Sequence, residues 1–235
     1  MSLIVAVYVP TGIALSGDSR TTGTRSNTVP DPQNPAASIT VQTSIVLSDA
    51  ATKVFLLFGR YGVGTFGDAL VNNMPIAHYV EQFEAQKAAA GPPNTTQAVA
   101  DALLAYFRSL QPVPNVGFVV AGYDGTDPWT LSVDVANNRT QRHNVQANTG
   151  ALDYGILRGG DTDVANRLLS NPQNMPAFQV MNLQDAVDFS RHLIRSTIDQ
   201  LRFEPRFPTV GGDIDTLVVK STGAEFLVQK KLKCT

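Results

Sequence analysis

The chain has one cysteine in 235 residues, Cys234, so it holds no internal disulfide and no thiolate metal cluster. That usage suits a reducing compartment. Histidines number three, with no His-Glu-x-x-His motif and no tight carboxylate–histidine cluster, which leaves metal catalysis without a ligand set. Neither sign of charge dominates. A formal net charge of -2 offers no electrostatic reason to expect nucleic acid or an anionic membrane as partner. Long hydrophobic runs are missing as well: LIVAVYV at residues 3–9 is too short to cross a bilayer, and no basic segment precedes it as in a secretory signal. The expectation is a cytoplasmic protein, in which the sequons at Asn94 and Asn138 are only polar turn sequence. No Walker loop or dinucleotide fingerprint surrounds Gly159-Gly160 or Gly211-Gly212, which read as turn glycines.

What is present is enough apolar residue, 43%, for one large domain over residues 1–235. Runs 3–9 and 13–16 flank Pro10-Thr11-Gly12 and read as a hairpin. Residues 21–35 are rich in Thr, Asn, Pro and Gly and read as a loop, followed by a strand at 39–47. Strands 53–58 and 61–66 turn at Gly59-Arg60. A helix follows Gly67, with Asp68 as its cap, Leu70, Val71, Ile76, Val80 and Phe83 as apolar positions, and Pro75 as a possible kink. A second helix spans 95–110. Strands at 116–125, 130–135 and 141–147 form a meander. Helices at 162–170 and 183–201 precede a final hairpin around Ser221-Thr222-Gly223. Helices and hairpin-linked strands are segregated, which argues for antiparallel sheet layers with helices outside.

Two serines compete for chemistry. Gly17-Asp18-Ser19 matches the nucleophile triplet of GDS-type esterases, but such a serine needs a histidine base. His78 and His192 fall inside helices and His143 on a strand, and Arg20 follows where an apolar residue belongs. Ser2 needs no histidine. Removal of Met1 would leave a hydroxyl and a free α-amine on one residue, and an α-amine titrates at about 7.7–8.0 in short peptides. Such a site requires a cation to keep the amine neutral, an acid to orient that cation and a backbone N–H for the oxyanion. The 3–17 hairpin returns Asp18 toward Ser2, Lys53 opens the next strand, and Gly67 ends the one after it.

These residues resemble a family. SLIVAVYVPTGIALSGDSRTTG resembles the start of a mature proteasome β-type subunit, an N-terminal-nucleophile (Ntn) hydrolase, with sixteen steps from Ser2 to Asp18 and Arg20 in register. TKVFLLFGRYGVGTFGDA resembles the family's lysine–strand–turn–strand–glycine segment, and GFVVAGYDGTDPWTLSVD its central meander. AVDFSRHLIRSTIDQL and VGGDIDTLVVK resemble its last helix and strand. The resemblance implies an α+β four-layer αββα sandwich in which Ser2, Asp18, Lys53, Gly67 and Arg20 serve catalysis and Thr21 and Thr65 the substrate cleft. It implies peptide or protein substrates, no metal or organic cofactor, and a homo-oligomer in a ring or helical assembly, with an unfoldase partner left open. The chain departs from the pattern at Ser2, usually Thr, and in an excursion between Arg20 and Lys53 about twenty residues longer than usual. It departs also at Gly159, usually Ser, and near Phe207 and Val210, where an Asp and a Ser are missing. These departures resemble the divergent bacterial homologues of the Anbu and β-proteasome-homologue type, and leave a catalytically silent shell subunit as the alternative.

Overall fold

The computed structural model describes residues 2–34 and 37–230; Met1 and Cys234 lie outside them. Leu3–Val9 (β1) is apolar at every position because both of its faces are covered. Period-two alternation sends Ile4, Ala6 and Tyr8 to one side and Leu3, Val5, Val7 and Val9 to the other. The chain continues through Gly12–Gly17 (β2), Thr21–Pro30 (β3), Ser38–Ser48 (β4), Val54–Leu57 (β5) and Tyr61–Gly67 (β6). The short strands Leu70–Val71 (β7) and Met74–Pro75 (β8) lead into helices Ile76–Ala90 (α1) and Thr96–Ser109 (α2). Then come Val116–Asp124 (β9), Asp127–Asp134 (β10), Arg139–Arg142 (β11) and Gly155–Gly160 (β12). Helices Asp163–Leu168 (α3) and Leu183–Leu201 (α4) precede the closing hairpin, Asp215–Lys220 (β13) and Gly223–Val228 (β14).

The fold is mixed α+β with antiparallel pairing. One sheet runs β12-β1-β2-β13-β14 and the other β11-β10-β9-β6-β5. Their inner faces meet through Ile4, Ile13, Leu15, Leu217 and Val219 against Val54, Val119 and Ala121. Glycine sets how closely they approach: a Cβ on Gly64 would stand 2.5 Å from Ile4 Cγ2, and one on Gly62 2.9 Å from Leu217 Cδ2. α4 lays Ala186, Leu193, Ile194 and Leu201 on the outer face of the first sheet. Val80, Phe83, Leu103 and Phe107 of α1 and α2 cover the second. The Asn182 capping box and the Thr95 hydroxyl, which accepts from Ala98 N at 3.1 Å, start α4 and α2 where their sequences change from polar to apolar-periodic.

Several expectations are corrected. Residues 21–30 are not a loop but half of a long hairpin, β3–β4, which pairs with no other strand among the described residues. With both of its faces exposed β3 carries no apolar alternation, so its Thr-rich sequence resembles a loop, whereas β4, expected as a strand at 39–47, alternates in part. Asp68 does not cap a helix; its carboxylate accepts from Asn115 N at 2.8 Å, tying the end of β6 to the start of β9. Leu70 and Val71 form β7, which turns back onto β8 at Asn72-Asn73, both at positive φ, and α1 starts only after Pro75. The β5–β6 turn comprises Phe58, Gly59 and Arg60, which includes the expected Gly59-Arg60, with Phe58 and Gly59 at positive φ. The strand at 141–147 stops at Arg142. β12 has no signature in sequence because three of its six residues are glycine.

At one end of the first sheet, Leu3 pairs with Gly160, Ile4 with Gly17, and Gly17 with Asp215. Four strand ends therefore deliver their next residues to one place.

Candidate active site

Asp18 follows β2 into that place and is saturated. Its Oδ1 accepts from Leu3 N and from Lys53 Nζ, each at 2.9 Å, and its Oδ2 from Gly211 N at 3.0 Å and Arg20 N at 3.1 Å. A carboxylate so engaged positions its neighbours. Lys53, at 5% exposure, also donates to the Arg20 carbonyl, which uses two of its three N–H bonds. Burial pushes the Lys53 ammonium below the usual lysine range, against the opposing charge and hydrogen bond of Asp18.

Ser2 lies just before β1 and is 7% exposed. It shares the lining of a cavity of about 390 Å³ with Lys53, Thr21 and Thr65, walled by Leu47, Phe66, Ala69 and Ile76. Four of the seven expected site residues thus face one mostly apolar space. The Thr65 hydroxyl is buried and has no hydrogen-bond partner among the described residues, which leaves it available to a ligand. Gly67 ends β6 at φ +101 with its Cα against the Asn115 carbonyl, a conformation and contact that exclude a side chain. It lines a second cavity of about 480 Å³ with Thr22, Asn115, Arg206 and Thr209, and the two cavities share Asp68 and Ala69. Arg20 faces neither cavity. Its guanidinium grips Asp49 at 2.7 and 2.9 Å and the Pro208 carbonyl at 3.3 Å, clamping the base of the β3–β4 hairpin to the 208–211 segment. This pairing holds the Asp49 carboxyl below its ordinary range.

Sequence reasoning missed Asp161. Its backbone N donates to the Ser2 carbonyl at 2.7 Å, and its buried carboxylate accepts from Arg206 at 2.7 and 3.1 Å and from the Thr209 hydroxyl. Burial pushes this carboxyl up, and the hydrogen bonds and charge of Arg206, with the Thr209 hydroxyl, more than reverse it. The available signal was Gly159-Gly160-Asp161: Gly160 sits at φ +96, where a Cβ would collide with the Ser2 carbonyl. The two glycine pairs are only half turn glycines, since Gly160 and Gly212 adopt positive φ and Gly159 and Gly211 do not. Gly159 instead admits the Phe66 ring and Gly211 the Arg20 guanidinium.

Ser19 is not placed to attack anything. It is fully buried, donates to the Asp213 carbonyl at 2.8 Å and has no histidine beside it. His143 pairs with Ser132 at 2.7 Å, His78 with Gln82, and His192 stacks on Phe189. The esterase reading fails on both counts. Among the described residues no group of three or more His, Cys, Asp or Glu could hold a metal ion, and no helix is long and apolar enough to cross a membrane. No protein-family model matches the chain, and no curated protein matches it.

Proposed function

We propose that this chain is an Ntn hydrolase of the αββα sandwich class, cleaving peptide bonds through an acyl-enzyme on Ser2. One observation carries the reading. Ser2 lines the same cavity as a buried lysine that is anchored at 2.9 Å on an aspartate, and that aspartate also binds the backbone N–H of Leu3, the residue after Ser2. Once the bond before Ser2 is severed, its α-amine and hydroxyl act together. Oγ attacks the amide carbon, the hydroxyl proton passes to the α-amine through a water, and the amine then protonates the leaving nitrogen. Water attacks the resulting ester by the same relay and restores the serine. A cationic Lys53 disfavours a second ammonium beside it and keeps the α-amine a free base. Asp18 orients Lys53, Gly67 N–H is the oxyanion donor, and Thr65 and Thr21 contact the substrate. The apolar cavity walls suit an apolar side chain next to the scissile bond. Self-assembly into a ring or helix, enclosing these sites in the cytoplasm, belongs to the same proposal.

Intact mass and turnover of an apolar fluorogenic peptide test it together. The expected protein begins at Ser2 and turns over; Ser2→Ala loses activity by about a thousandfold or more, as removal of a nucleophile does, while Ser2→Thr keeps it. Equal turnover in wild type and Ser2→Ala eliminates the nucleophile. A homogeneous Ser2 terminus without turnover on a broad peptide set favours the silent shell subunit.

A further inference from the structure

A second lysine stands behind the first. The segment after β14 turns inward at Lys230, whose backbone N donates to Asp215 Oδ1 at 2.7 Å and whose ammonium binds Asp215 Oδ2. The same ammonium lies 3.3 Å from Ser19 Oγ, and that hydroxyl already gives its proton to the Asp213 carbonyl, so it accepts from Lys230. Ser19 follows Asp18 directly, and Asp215 pairs with Gly17, the residue before Asp18. Two lysine–aspartate pairs, Lys53–Asp18 and Lys230–Asp215, are thus joined back to back through consecutive residues at the end of β2. Lys230 is little exposed and Asp215 is buried, so solvent screens this arrangement weakly. An outward-facing lysine at this position would be solvated and nearly without effect on the site; this one faces inward, onto the backbone and side chains that hold the catalytic aspartate.

We propose that Lys230 is a positioning residue for the Asp18–Lys53 pair: anchored on Asp215 and Ser19 at the end of β2, it holds a second cation behind that pair. The inference rests on the hydrolase reading for its catalytic meaning, but not for its effect on Lys53. Among the described residues, the charged groups that act on Lys53 are Asp18 from the end of β2, Asp49 from the segment after β4 and Lys230, and Asp68 lines the same cavity. Asp18 and Asp49 favour its ammonium, while burial and the Lys230 charge oppose it. The sign follows. A neighbouring cation makes loss of a proton easier, so removing Lys230 lets Lys53 hold its proton to higher pH. Peptide hydrolysis needs a neutral α-amine and a charged Lys53, hence its rate follows a bell in pH, with Lys53 setting the alkaline limb.

Two readouts on the full chain test this. Lysine 13Cε NMR, with Lys53 assigned through Lys53→Met, follows the ionisation of Lys53 without any turnover; the pH profile of kcat/KM follows its consequence. In Lys230→Met the Lys53 titration moves to higher pH and the alkaline limb of kcat/KM moves with it, whereas Lys230→Arg leaves both where they are in wild type. Should loss of the partner to Asp215 prevent Lys230→Met from folding, Lys230→Gln keeps a donor for that carboxylate without the charge, and the same upward shift is expected. A folded, neutral Lys230 variant with Lys53 titrating as in wild type overturns the proposal. A shifted titration in a protein without peptidase activity upholds the coupling and removes only the hydrolase reading.

Discussion

The chain contains two successive β-hairpins of opposite fate. β1–β2 is flanked by β12 and β13 and covered on both faces, so every one of its strand residues is buried. β3–β4 is longer, at 10 and 11 residues, yet it pairs with no other strand among the described residues, and Val29, Ile39, Val41, Val46 and Leu47 stand 38–48% exposed. Both are rich in β-formers. What separates them is coverage: a hairpin held on four sides presents its end residues in one geometry, whereas a two-stranded ribbon alone is marginal in water. The candidate site lies at the boundary. Ser2 and Asp18 come from the held hairpin, and Thr21, Leu47 and Ser48 from the root of the free one. Arg20, clamped to Asp49, is the joint between them.

The sharpest way to break this contrast is to remove the fastener of the held hairpin. Asp18→Ala leaves three backbone N–H groups and the Lys53 ammonium without their common acceptor in the interior. Breaking a buried pair in this way costs about 3–5 kcal/mol. Denaturant unfolding is expected to show that loss, together with loss of peptidase activity. A loss under about 1 kcal/mol, the scale of a single ordinary hydrogen bond, would mean that the hairpin end does not depend on its carboxylate.

Lys53→Met separates chemistry from stability at the same spot. Activity is expected to vanish while the loss of stability at neutral pH is smaller than in Asp18→Ala, since Asp18 keeps its three backbone donors when the buried ammonium is gone. The pH dependence carries the sign. The folded protein holds the Lys53 proton less tightly than the unfolded chain does, so between its lowered value and the ordinary lysine value the unfolded state binds more protons. Wild-type stability therefore climbs with pH across that window relative to Lys53→Met and levels off above about 10.4. Urea midpoints of the two proteins, compared from pH 7 to pH 10.5, read this difference directly; parallel curves would show that burial does not burden the lysine.

How much of this was legible follows the same division. The held hairpin, the capped helices α2 and α4 and the closing hairpin carry strong periodicity or turn chemistry, and their sequences give them nearly to the residue. Ser2, Asp18 and Lys53 could be picked out because strand ends were predictable there, whereas Thr21 and Thr65 came only from the family resemblance. Of the ribbon, β4 was legible from its partial alternation, but β3 was not, since a strand exposed on both faces needs no apolar alternation. Nor was β12, whose glycines are required by the Ser2 carbonyl and the Phe66 ring, partners invisible until the strands are laid side by side. Asp161 and Lys230 went unread for the same reason: each reaches the site from far along the chain by a contact no local pattern encodes.

The smallest expected effect comes from trimming the ribbon. Thr24 and Ser44 face each other in register, so Arg25–Thr43 can be replaced by Asn-Gly, which closes a two-residue hairpin on that pair. The cavity walls supplied by Thr21, Leu47 and Ser48 remain, as does the Arg20–Asp49 clamp. The deleted strand residues are exposed and reach no core cluster, so thermal unfolding is expected within about 2 °C of wild type. Turnover per site should also persist, because Asp18, Lys53 and Ser2 are held by partners outside the excised part. A fall of Tm by ten degrees or so would put the outer ribbon in the same cooperative unit as the buried hairpin, and the contrast between the two would have to be withdrawn.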